Sequence, residues 1–124
     1  MLKPEGLFYL NAPSNGDIHR YPLDCWRFYP DAGVALENWG RRCGHDPALL
    51  ESFTTRQRDD AWNDFVAVFV KDASQARRHP VRMIERIDDF MNGRVHGNPA
   101  VLRPQVPSED QAMLRRVAPE SPGE

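Results

Sequence analysis

Residues 11–33 read NAPSNGDIHRYPLDCWRFYPDAG, and this run gathers many side chains able to hold a ligand. Its proline, asparagine and glycine mark loop rather than helix or strand. Yet it carries four aromatics, Tyr21, Trp26, Phe28 and Tyr29, beside His19, Arg20, Asp24 and Arg27. Aromatic faces supply apolar walls or stacking platforms, and a few polar groups fix a ligand's orientation. That mixture is the composition of a small-molecule pocket. The run is therefore expected to line a substrate site through Asn11, Ser14, Arg20, Tyr21, Asp24, Trp26 and Arg27. The competing arrangement packs Trp26 and Phe28 beneath the loop and pairs Arg27 with Asp24 as structural partners. No metal is expected: His19, His45, His79 and His96 are widely separated, and with Cys25 and Cys43 they form no ligand spacing.

Composition narrows the partners. The 124 residues carry a net charge of −2, and the isoelectric point is near 6.1. Such a balance gives no electrostatic footprint for DNA or RNA. No run of eighteen apolar residues occurs, so no membrane-spanning helix is expected. The first residues, MLKPEGLFYLNAP, lack the apolar stretch and small-residue cleavage site of a secretory signal. A cytoplasmic protein with reduced thiols is the expectation.

The loop must be held by regular elements. Leu7–Leu10 is a continuous apolar run between Gly6 and Asn11-Ala12-Pro13, as in a strand covered on both faces. Ala32, Leu36, Trp39 and Cys43 recur at helical spacing and predict a helix from Asp31 to Cys43, with Asp31 as cap and Gly44 as stop. Ala48–Thr55 and Trp62–Val70 read as strands, the second by its β-branched and aromatic density. The polar connector Arg56–Asp60 predicts an antiparallel hairpin between them. The earlier strand–helix–strand portion is expected to be a right-handed crossover between parallel neighbours. Trp39, Leu36, Trp62, Phe65 and Phe69 are assigned to packing. Val81–Met91 predicts a second helix, Arg94–Pro107 an irregular stretch, and Ser108 with Gln111 a capping box opening a short helix. Arg77, Arg78 and Arg82 near Pro80 either bind an anion or form a solvated face among charges of mixed sign.

The ordered set "LKPEGLFYLNAPS", "HRYPLDCWRFYPDAG", a helix, "LLESF" and "AWNDFVAVFVKD" resembles the C-terminal half of a class I S-adenosylmethionine-dependent methyltransferase. In that family LKPGG commonly precedes the fifth strand of a seven-stranded sheet; here Glu5 replaces the first glycine. The run Pro22, Asp24, Trp26, Arg27 and Phe28 resembles a loop of members that act on small molecules and glycans. The resemblance covers residues 1–72 and implies an α/β fold, a partial Rossmann-like sheet whose seventh strand slots antiparallel between the fifth and sixth. Residues 73–124 would be a helical, proline-rich C-terminal extension. It also implies a methyl acceptor that is a small molecule or glycan-linked, with His19 as the candidate general base where the acceptor must lose a proton.

The same resemblance implies S-adenosylmethionine as cofactor, yet no GxGxG turn occurs in these 124 residues. Such a turn lets backbone approach the ligand. The expectation is therefore a fragment, a truncated reading frame or one part of a split protein that does not bind the cofactor alone. Its partner would be a complementary N-terminal methyltransferase half or a second copy. The alternative is a non-catalytic interaction module docking through an open sheet edge.

Overall fold

The computed structural model describes residues 2–15, 26–59 and 62–105. Its strands are Leu7–Pro13 (β1), Ala48–Thr55 (β2), Asp64–Val70 (β3), Phe90–Val95 (β4) and Asn98–Leu102 (β5). They form an open antiparallel sheet in the order β1-β3-β2-β4-β5. One α-helix, Ala32–Arg42 (α1), links β1 to β2, and two 3-10 helices, Ala73–Arg78 and Met83–Glu85, lie between β3 and β4. The architecture is mixed α/β.

β3 sits between β1 and β2, and both of its faces are covered, so Phe65 to Val70 are all buried. That is why the segment lacks polar alternation. Phe65, Ala67 and Phe69 join Leu49 and take Leu36, Ala32 and Phe28 from α1 and the segment before it. On the opposite face, Val68 and Val70 meet Leu50 and Ala76 of the first 3-10 helix. Val66 there joins Phe53, Phe90 and Ile84 of the second. Removing side chains of this size from water contributes about 1.5–3 kcal/mol apiece.

β2 carries a bulge between Leu49 and Glu51. The extra residue breaks the period of two, so Leu50 packs with Val68 while Glu51 pairs with Val68 in the ladder. Glu51 thus points beneath the second 3-10 helix. Its Oε1 accepts from the Met83 N–H at 2.9 Å and its Oε2 from the Ile84 N–H at 3.0 Å.

The helix, both later strands and their antiparallel pairing fall where the sequence puts them. Gly44, at φ +82°, ends α1 in the left-handed conformation that glycine adopts without steric cost. Five features differ. β1 and β2 run parallel to each other but are not neighbours, because β3 intervenes. Val81–Met91 is not a helix: one 3-10 turn forms at Met83–Glu85, and β4 begins at Phe90. The stretch after Arg94 is not irregular, since β5 pairs with β4 and the sheet extends well past residue 72. Asp31 makes no side-chain cap; its carboxylate instead accepts from Arg94. Trp39 and Trp62 are not core residues, at 65% and 47% exposed. The short helix expected from Ser108 lies outside the described residues.

Among the described residues β1 pairs with β3 alone. Leu7, Phe8 and Tyr9 on it are about half exposed, rather than covered on both faces as their apolarity predicts. No helix among the described residues is long and apolar enough to cross a membrane.

Candidate functional site

Where β1 and β2 finish and β3 and β4 begin, the chain forms a cleft of about 510 Å³. Each wall is set by a strand end. Ser14 and Asn15 follow β1, Thr54 and Thr55 close β2, Asn63 precedes β3, and Met91 and Asn92 open β4. Tyr29 and Pro30, just before α1, and Gln57 and Gln105 complete it. Residues that end strands have backbone groups without ladder partners, and short polar side chains satisfy them locally.

That local chemistry produces two hydrogen-bonded groups, one on each side of the cleft. The buried Ser14 donates its N–H to the Asn63 carbonyl at 2.9 Å, fastening the end of β1 to the start of β3. Asn15 accepts the Asn63 N–H through Oδ1 at 2.6 Å and donates from Nδ2 to Gln57 Oε1 at 2.9 Å. Asn63 donates through Nδ2 to the Thr55 carbonyl at 3.1 Å, and Thr55 Oγ1 accepts the Asp64 N–H at 2.8 Å. Across the cleft, Asn92 donates from Nδ2 to Thr54 Oγ1 at 3.0 Å and accepts the Gln105 N–H at 2.9 Å. Asn92 has φ +55°, a left-handed conformation that asparagine adopts more readily than most residues. The Asn63 Oδ1 atom is buried and has no partner among the described residues.

Among the described residues the lining contains amides, hydroxyls and one phenol but no carboxylate, guanidinium, ammonium or imidazole. Amides and hydroxyls both donate and accept, so they match a neutral ligand rich in hydroxyl groups. Tyr29, largely exposed at the rim, offers an aromatic face against which an apolar surface can lie. Such a lining binds and orients; it supplies no strong acid or base. On the same side of the sheet, Arg58 donates to Asp89 and holds that carboxyl below its ordinary pKa, first through the hydrogen bond. The Arg58 guanidinium is raised in turn. Farther away, Asp72 is also lowered, by its hydrogen bonds from Ser74 at the start of the first 3-10 helix.

Of the residues the sequence singles out, Ser14 lies in the cleft. Asn11 sits exposed on β1, opposite Val66, and does not line it. Trp26 is 75% exposed, and Arg27 donates from Nη1 to the Trp26 carbonyl at 3.1 Å; neither is a lining residue. Phe28 packs inward, its ring stacked on Phe65 with centroids 6.1 Å apart, and its N–H bonds the Pro13 carbonyl. For Phe28, packing beneath the loop is the arrangement found. His19, Arg20, Tyr21 and Asp24 lie outside the described residues. The sequence reading missed Asn15, Asn63, Gln57 and Asn92. Their signal was present as polar residues flanking each strand, but only the strand order brings them together.

Among the described residues no acidic side chain lines the cleft, and the glycines with positive φ, Gly44 and Gly97, lie after α1 and in the β4–β5 turn. Among the described residues no cluster of histidine, cysteine, aspartate and glutamate could hold a metal ion. Comparison with protein-family models, with curated proteins and with solved structures finds no match.

Proposed function

We propose that this chain is related to the class I S-adenosylmethionine-dependent methyltransferases and supplies the acceptor side of such an enzyme. One observation carries the reading: β3 lies antiparallel between β1 and β2, with α1 joining the outer two. That is the arrangement implied by the resemblance of residues 1–72 to the last three strands of the family's sheet. The cleft lies beyond the carboxyl ends of β1 and β2, the place where ligands of such sheets bind. Its neutral, amide-rich lining favours a saccharide or other polyhydroxylated acceptor. The chain's role is alignment of the acceptor, and methyl transfer requires a cofactor site built by other residues.

The test combines binding and transfer. Mono- and oligosaccharides are titrated into the ¹⁵N-labelled chain, and the side-chain amides of Asn15, Asn63 and Asn92 are followed. Perturbation of these amides, with no calorimetric binding of S-adenosylmethionine by the chain alone, is expected. Labelled methyl transfer should require addition of a methyltransferase N-terminal half. Tight cofactor binding by this chain alone, or a verified complex of both halves that transfers to no acceptor, overturns the proposal.

A second reading has its own observation. The outer edge of β1 bears Leu7, Phe8 and Tyr9, and beside it lies an apolar cavity of about 470 Å³ lined by Leu2, Phe8, Leu36 and Trp39. An unpaired apolar edge invites strand addition. In this reading the chain is a non-catalytic subunit. Sedimentation of the wild type against Tyr9→Lys separates the two: self-association abolished by the lysine favours the subunit.

A further inference from the structure

We propose that a second groove binds a phosphate ester carrying an apolar group. This groove, about 630 Å³, lies on the face of the sheet opposite α1 and away from the polar cleft. Its cationic wall is Arg78, Arg82 and Arg86; its apolar wall is Leu7, Tyr9, Val68 and Val81 with Met83.

The arginines of this groove differ from others in the chain. Arg41, Arg56, Arg58, Arg94 and Arg103 each pair with an aspartate or glutamate. Among the described residues none of the three groove guanidiniums has a carboxylate within ion-pair distance. Arg82 is buried, at 7% exposed, and its donors go to carbonyls: Nε to Leu50 at 3.1 Å, and Nη1 to His79 and to Val81. Buried charges are ordinarily paired. The Glu51 carboxylate also lines the groove, but both its oxygens already accept the Met83 and Ile84 N–H groups. Exposed Glu85 accepts, at 3.4 Å, the Arg82 backbone N–H rather than its guanidinium. His79 donates from Nε2 to the Glu5 carbonyl, which holds that part of the rim in place. Arg78 and Arg86 thus line the groove without a carboxylate partner among the described residues, Arg82 is held by carbonyls, and the one lining carboxylate is already engaged. An anion with several acceptor oxygens complements them, and a guanidinium fork matches a phosphate in particular. Exposed Tyr9 and Val81 then require an apolar substituent on that anion.

The experiment titrates the full chain with inorganic phosphate, with hexyl phosphate and with hexanol, by calorimetry and by ¹⁵N shifts at Tyr9, Val81 and Met83. Hexyl phosphate is expected to bind at least about tenfold more tightly than either, consistent with shared charge and apolar contributions. Arg78→Gln and Arg86→Gln change exposed side chains, and each is expected to weaken binding by about tenfold. Vesicles containing phosphatidic acid distinguish the source. Vesicle binding that hexyl phosphate displaces identifies a lipid headgroup; hexyl phosphate binding without vesicle binding identifies a soluble ester. Equal affinity in the Arg78→Gln/Arg86→Gln double variant, or no preference for hexyl phosphate over phosphate and hexanol, overturns the proposal. The outcome is independent of saccharide binding in the polar cleft.

Discussion

Replacing Glu51 with alanine tests how the region after β3 is attached to the sheet. Glu51 is 3% exposed, and its two oxygens satisfy consecutive backbone N–H groups at the second 3-10 helix. A hydrogen bond to a charged group is worth about 1.5–3 kcal/mol, and leaving a buried donor unsatisfied costs a similar amount. Water can reach Met83, which is exposed, but Ile84 is buried and its N–H stays unpaired. The alanine variant is also spared the desolvation of a carboxylate, which offsets part of the loss. The net expectation for Glu51→Ala is a loss of about 2–4 kcal/mol, from a stability of about 5–15 kcal/mol for a domain of this kind. Glu51→Gln keeps one acceptor but turns its amide donors toward the other N–H, so it falls between wild type and alanine. Urea unfolding followed by circular dichroism gives the three free energies, and hydrogen exchange at the Ile84 amide reports the local bond. Should the alanine variant unfold within about 0.5 kcal/mol of wild type, with Ile84 protection unchanged, the carboxylate does not secure this segment and the reasoning fails.

Gly93→Ala should lower stability by about 1–3 kcal/mol, because a Cβ there clashes with Ile84 Cδ1 and meets Phe90 Cε2 at 2.8 Å inside a buried cluster; thermal melts check it. Asn92→Ala loses both cleft hydrogen bonds and the residue's tolerance of positive φ, whereas Asn92→Gly loses only the bonds. Alanine should therefore unfold at lower urea than glycine, by up to about 1 kcal/mol. For Asp89, the folded pKa lies below its unfolded value through Arg58. The pair's stabilisation is complete above the ordinary carboxylate range and disappears as pH falls through the lowered folded pKa. An NMR titration of its side-chain carboxyl should show the midpoint rising in Arg58→Gln, and rising in high salt because the pair is solvent-exposed.

The two strands that form the centre of the sheet were legible because their burial is written as uninterrupted apolarity, and α1 because its spacing and Gly44 mark its face and end. The face itself was partly misjudged. Trp39 shares the helical period with Leu36, yet it lines a cavity with Phe8 of β1, beyond which no strand lies among the described residues to receive it. Periodicity reports which residues share a side, and only the neighbour decides whether that side is covered. The Val81–Met91 error has a similar cause. Ile84, Ile87 and Phe90 repeat as in a helix, but Glu51 captures the backbone N–H groups at Met83 and Ile84, and Phe90 enters a strand instead.

By itself the sequence determined an α/β chain with a central apolar strand pair and the helix before it, because composition and local period are carried by neighbouring residues. The tertiary structure alone decided the pairing of β4 and β5 onto the sheet, the bulge that turns Glu51 under the 3-10 helix, and the meeting of Ser14, Asn63 and Asn92 in one cleft. These depend on hydrogen bonds between residues tens of positions apart, whose partners no local pattern can name.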